Sequence, residues 1–290
     1  MRRQLASTTF DALKRIWSDA GVIPMNAHWH GLDGGRTNPI WRVDMHDGTR
    51  LVCKLFMPNT ATPLFANDGT REALALQALE RSGIAPEIVA FQDTSFGESL
   101  IYRHVEGPTW NGDVQSVARL MARLHQQPLP AGLPEVTLTS QTMIADGLAM
   151  LAQSGHDLGP PPDVAVGPTS RQAFLHGDIV PGNILASPGR LVLIDWQCPV
   201  IGDPCADLAM FLSPAMQVVY GRRQLTATEI ESFLVTYQSH NQDMQTVARY
   251  RVLEPLFHWR MAAYCRWKTA LGDLAYEGMA DLELAELQQS

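Results

Sequence analysis

The chain has 290 residues, 46% of them hydrophobic, which is enough for one large domain or for two lobes with sizeable cores. Its 22 basic and 30 acidic residues leave a net charge of −8, so no general affinity for nucleic acid or for an anionic membrane is implied. The four cysteines form no Cys-x-x-Cys pair, no apolar run approaches ~18 residues, and Met-Arg-Arg-Gln leads into no signal-type core; a soluble cytoplasmic protein with free thiols and no metal cluster is expected.

Residues 7–20 place Phe10, Leu13, Ile16 and Trp17 at helical spacing behind Ser7, Thr8 and Thr9, which predicts a short amphipathic helix. From His28 the pattern becomes β-like. Ile40 to Met45 alternate, His46-Asp47-Gly48-Thr49 is a hairpin turn, and Leu51 to Phe56 is an apolar strand. A Pro-bearing loop from Pro58 to Asn67 leads to a helix near 69–82. Two further strands, near 88–91 and 99–104, complete an antiparallel sheet of about five strands.

Lys54 lies in the middle of an otherwise apolar strand. Burying a lysine without a partner is costly, so it either pairs with a carboxylate, for which Glu72 early in the next helix is the candidate, or snorkels to solvent. The turn Leu32-Asp33-Gly34-Gly35-Arg36-Thr37-Asn38 is either an ordinary hairpin or a place where glycines let backbone N–H groups approach phosphates. Gly107-Pro108 ends the last strand and predicts a boundary between an N-terminal lobe, 1–104, and a C-terminal lobe, 105–290.

The second lobe reads as helical. One helix spans about 113–127, with Val117, Leu120, Met121 and Leu124 in a single stripe, and another spans about 141–153, between Pro/Gly-rich loops. The last helices are expected near 228–238, 244–267 and 271–288. Trp259, Ala263 and Trp267 share one helical face, either as core or as an aromatic surface for an ammonium or thiazolium group.

Between these helices lies the stretch that carries chemistry. Leu175-His176-Gly177-Asp178-Ile179-Val180-Pro181-Gly182-Asn183 sets a carboxylate five residues before an amide, with a turn between them. Eight residues after Asn183 begins an apolar run, Leu191 to Ile194, that delivers Asp195 at its end. Taken singly, Asp178 and Asn183 would do no more than cap a loop. Together with Asp195 they are the oxygen groups that a magnesium ion and a hydroxyl nucleophile require. Asp207 stands only twelve positions after Asp195, too few for the activation segment that positions a peptide, and no Ala-Pro-Glu follows. The acceptor is therefore expected to be a small molecule.

His-Gly-Asp-x4-Asn followed by Ile-Asp-Trp resembles the catalytic and metal loops of the aminoglycoside phosphotransferase and choline kinase superfamily, and Gly-Gly-x-Thr-Asn resembles the turn of its choline- and thiamine-kinase-like members. The resemblance covers about residues 30–212. It implies an α+β, bilobal, protein-kinase-like fold with an antiparallel N-lobe sheet and a mainly helical C-lobe. It also implies transfer of the γ-phosphoryl of ATP, or of GTP, to a substrate hydroxyl. In that reading Asp178 accepts or aligns the hydroxyl proton, Asn183 and Asp195 hold Mg²⁺, and Lys54 and Glu72 position the α/β-phosphates. Gly34, Gly35, Thr37 and Asn38 approach the phosphates, and the backbone of Arg103, His104 and Val105 meets the adenine edge. Asp207 is a helix cap or a brace beneath the catalytic loop, and His176 orients that loop. A cationic alcohol of the choline, ethanolamine or thiamine type is the favoured partner. An aminoglycoside, or a non-catalytic nucleotide-binding scaffold, is the alternative, and the oligomeric state stays open.

Overall fold

The computed structural model describes residues 7–32, 37–241 and 243–288. Helix α1 (Ser7–Asp19) precedes a five-stranded antiparallel sheet of β1 (His28–Gly31), β2 (Ile40–Asp44), β3 (Arg50–Leu55), β4 (Ile88–Thr94) and β5 (Gly97–Arg103), in the order β1-β2-β3-β5-β4. Helix α2 (Gly69–Ala78) crosses between β3 and β4.

The period of two along β3 decides what each residue meets. Leu51, Cys53 and Leu55 point to the face covered by Leu13 and Trp17 of α1. Val52 and Phe56 belong to the opposite cluster, which contains Ala73, Ala75 and Leu76 of α2, so Lys54 faces α2. Both faces of β3 are covered, which is why its sequence is apolar almost throughout.

Beyond β5 the chain runs down onto the second lobe. Gly107 has φ +137°, and a Cβ there would lie 2.2 Å from the carbonyl oxygen of Ala186, so only glycine permits this crossing. Trp110 N–H then donates to Ile184 (2.8 Å) and Ala186 N–H to Pro108 (2.9 Å), pinning the connection to the hairpin of β7 (Ile184–Ser187) and β8 (Arg190–Leu193). One hydrophobic cluster runs from Val52, Leu76 and Tyr102 in the first lobe to Trp110, Leu124, Phe174 and Trp196 in the second.

The second lobe contains α3 (Val114–Leu124), α4 (Ser140–Ser154), α5 (Cys205–Leu212), α6 (Pro214–Val219), α7 (Ala227–Asn241), α8 (Met244–Ala270) and α9 (Met279–Leu287), with β6 (Ala173–Leu175) paired to β9 (Val200–Gly202). The single last helix expected over 271–288 is instead a 3₁₀ turn at Leu274–Tyr276 followed by α9. Gly272 and Gly278 at φ +84° and +74° break it, a conformation that ends α-helical winding. Helix α8 continues through Pro255 over 27 residues. Of its aromatic stripe, Trp259 is core: a Cβ on Gly147 of α4 would lie 2.2 Å from the Trp259 ring. Trp267 is half-buried and donates through Nε1 to Gln153 at 3.0 Å. Among the described residues no helix is long and apolar enough to cross a membrane.

Candidate active site

Strand β6 is held by β9, and the chain leaves it at His176 into a loop that ends in the 3₁₀ turn Pro181–Asn183. Gly177 has φ +81°, and a Cβ there would lie 2.3 Å from the Cys198 carbonyl oxygen, so the glycine of the motif is a steric requirement. The N–H groups of His176 and Gly177 both donate to the Asp207 carboxylate, each at 2.9 Å. Asp207 is fully buried in the first turn of α5. Burial alone would raise its carboxyl, but hydrogen bonding from His125 and the nearby His176 hold it below the usual range. His125 Nε2 lies 3.1 Å from Asp207, and its Nδ1 lies 2.7 Å from the Tyr237 hydroxyl. Asp207 thus supports the loop from beneath as well as standing in a helix's first turn.

His176 joins the two halves of the site. Its Nδ1 accepts from the Asp178 N–H at 3.2 Å, so the proton sits on Nε2, which donates to the Ile194 carbonyl at 3.1 Å. Burial holds its pKa below the ordinary imidazole value, consistent with this neutral tautomer. Asn183 turns its Nδ2 to Asp178, 3.0 Å from both the backbone oxygen and Oδ2. Its amide oxygen is of the type that could ligate a hard cation. Across the β7–β8 hairpin, Ile194 N–H donates to the Asn183 carbonyl at 2.9 Å, which ties the residue before Asp195 to the loop that carries Asn183.

Asp195 has φ +66°, in the left-handed region that aspartate tolerates better than most residues. Its carboxylate pairs with Lys54, whose Nζ also lies 2.6 Å from Glu72 Oε2. Lys54 and Glu72 are each 1% exposed. Burial opposes the charge on Lys54, yet the two carboxylates raise its pKa above the usual value. Burial, with the Asp195 charge added, pushes the Glu72 carboxyl up against the pull of Lys54. Asp178, Asn183, His176, Asp195, Lys54 and Glu72 are therefore one connected set. One carboxylate and one amide oxygen suit a Mg²⁺ ion that keeps several waters and shares substrate oxygens.

The remaining predicted residues fall out differently. Gly34 and Gly35 lie outside the described residues, and Thr37 is half-buried. Asn38 is 4% exposed and its amide is turned inward. Its Oδ1 accepts from Met57 N–H (2.9 Å) and Asn67 Nδ2 (3.0 Å), and its Nδ2 donates to Asn67 Oδ1 (2.6 Å) and Gln197 Oε1 (3.3 Å). The Asn38 side chain is thus engaged inside the protein and does not point to a phosphate; the expected approach was one of backbone N–H groups. At the connection, Arg103 N–H donates to Glu87 (2.8 Å) and His104 N–H to Arg50 (3.0 Å), because sheet pairing continues to this point. The N–H groups of Arg103 and His104 are thus engaged in the sheet, and neither is free for the expected contact with an adenine edge. The Arg103 side chain, 58% exposed, pairs with Glu87 at the surface.

Sequence reasoning gave no role to His125, Tyr237, Asn67 or Gln197; His125 meets its partners 82 and 112 positions away and Gln197 meets Asn38 159 positions away, separations that leave no spacing signal. It gave no role to Phe65 or Tyr220 either. Tyr264 of α8 is buried, with Phe65 meeting its ring edge-on at 5.3 Å, and a Cβ on Gly182 would lie 2.4 Å from the Tyr220 ring. A surface cavity of about 890 Å³, lined by Trp110, Arg119 and Arg190 among others, contains none of these groups. The site is identified by its chemistry, not by its size.

The model of the APH family, described as a phosphotransferase enzyme family, matches residues 28–253. No curated protein sequence matches the chain. Among solved structures, a choline/ethanolamine kinase family protein from Mesorhizobium loti is 17% identical, with 97% of this chain and 94% of that one covered and a TM-score of 0.63. An ethanolamine kinase from Plasmodium vivax is 13% identical, with coverage of 98% and 89% and a TM-score of 0.65. An aminoglycoside phosphotransferase from Streptomyces rimosus, solved with ADP and streptomycin, is 17% identical, with coverage of 88% and 99% and a TM-score of 0.53. At these identities the likeness is one of fold: the α+β kinase-like fold expected from the motifs is the fold of the chain.

Proposed function

The chain belongs to the phosphotransferase enzyme family, and from that premise we propose that it passes the γ-phosphoryl group of ATP to the hydroxyl of a small cationic alcohol. One observation carries this reading. Asp178, held by Asn183, is joined through His176 to the strand end that presents Asp195 to the buried Lys54–Glu72 pair.

In the proposed reaction the acceptor oxygen forms a new bond to the γ-phosphorus, the bond from that phosphorus to the ADP oxygen breaks, and the hydroxyl proton passes to the Asp178 carboxylate. Lys54 holds the α/β-phosphates, and Glu72 keeps its ammonium aimed. Asn183 and Asp195 would hold Mg²⁺, which when bound neutralises phosphate charge. The Val105 N–H is the donor proposed for the adenine edge. Support for ATP comes from the ADP-bound neighbour of the same fold. Support for a cationic alcohol comes from the choline/ethanolamine kinase family protein and the ethanolamine kinase that share this fold over nearly the whole chain.

The test is ADP release from Mg-ATP with choline, ethanolamine, thiamine and a panel of aminoglycosides. Turnover is expected with a cationic alcohol, falling about 10²–10⁴-fold in Asp178→Ala with ATP binding retained. ATP binding without turnover on any acceptor would instead make the protein a nucleotide-binding scaffold. Turnover on aminoglycosides alone would replace the acceptor class.

A further inference from the structure

A ring of contacts leads from Asp195 back to its own loop. Asp195 pairs with Lys54, and Lys54 pairs with Glu72 on α2. Helix α2 is capped by Asp68, whose side chain accepts from Arg71 N–H at 2.9 Å. The Asp68 N–H donates to the carbonyl of Gln197 at 3.2 Å, two residues beyond Asp195. The Gln197 side chain, 7% exposed, accepts from Asn38 Nδ2. Asn38 is exchanged amide to amide with Asn67, the residue before Asp68. Asn67 in turn donates to the Met57 carbonyl at 3.0 Å and to Thr60 Oγ1 at 2.6 Å. Buried amides in such a network are costly to leave unpaired, so they hold or fail together.

We propose that Asn38 and Gln197 are positioning residues that lock the turn before β2, the start of α2 and the Asp195 loop into one unit, so that Asp195 meets the metal only while Lys54 and Glu72 are aligned. Neither side chain touches the reacting atoms. This inference rests on the phosphotransfer reading, and its experiment separates the two.

Gln197→Leu removes the acceptor at similar volume, and Asn38 keeps its bonds to Asn67 and Met57, so the variant retains the rest of the network. Gln197→Glu keeps an acceptor for Asn38. With Mg-ATP as the probe, Gln197→Leu is expected to bind ATP in EDTA within about twofold of wild type, while the Mg²⁺ concentration for half-maximal ADP release rises about tenfold. Gln197→Glu should restore the wild-type magnesium dependence. A residue that only packs would lower the melting temperature and leave that dependence where it was. An unchanged magnesium dependence in Gln197→Leu, or an equal loss in Gln197→Glu, overturns the proposal. If wild type releases no ADP on any acceptor, the phosphotransfer reading falls separately, and amide exchange decides about the lock. Exchange at Asp68 and the first turn of α2 should be about tenfold faster in Gln197→Leu, and exchange equal to wild type overturns it.

Discussion

Lys54 is the residue on which the two lobes agree. It is buried because β3 is covered on both faces, and it stays charged because Glu72 and Asp195 reach it from different elements. Removing one member of a buried ion pair strands the other charge, a loss larger than the pair's net contribution. Lys54→Met is therefore expected to cost about 3 kcal/mol of stability. Adding Glu72→Leu should recover much of that, since Asp195, 28% exposed, can turn to water. Urea denaturation of the single and double variants checks this. A double variant less stable than Lys54→Met alone would contradict the account.

At the scale of elements, the docking of α9 is a titrating contact. His258 of α8 lies 2.6 Å from Glu283 of α9, and the same carboxylate accepts from Ser213 Oγ and from Ala215 N–H. Burial would lower the His258 pKa, but the hydrogen bond and charge of Glu283 outweigh it, and the net shift is upward from 6.5. A raised folded-state value means the stabilisation is complete below 6.5 and is lost as pH rises through the folded value. Amide exchange in α9, corrected for intrinsic rates, should be slower at pH 6 than at pH 8. His258→Gln should remove that difference, and a difference of the opposite sign would refute the assignment.

For the molecule as a whole, the lobes share a hydrophobic cluster and a connection pinned to the β7–β8 hairpin, and the proposed nucleotide site lies between them. A ligand that binds only the folded chain stabilises it by mass action. Mg-ATP at 100 times its dissociation constant is expected to add about 2.7 kcal/mol. The melting temperature should rise with ATP and magnesium together, less with ATP in EDTA. In Asp195→Asn the magnesium-dependent part should shrink. A shift independent of magnesium would remove Asn183 and Asp195 as its ligands.

The local parts were legible in the amino-acid order because local chemistry decides them. Alternation marked β2 and β3, Asp47-Gly48 marked the hairpin, and the spacing from His176 to Asn183 and on to Asp195 marked two loops, the first joining Asn183 to Asp178 and the second tied to it through Ile194. Lys54 in an apolar strand announced the need for an anion, and Glu72 supplies it. Other features were decided only by packing. Asn38 turned inward because Asn67 and Gln197 were there to meet it, Trp259 sank into the space left by Gly147, and His125 found Asp207 across the second lobe. The expected last helix broke at two glycines. Contacts between residues tens to more than a hundred positions apart carry no periodicity, since which partner a polar side chain finds depends on how whole elements stack, and stacking is settled by the shared core.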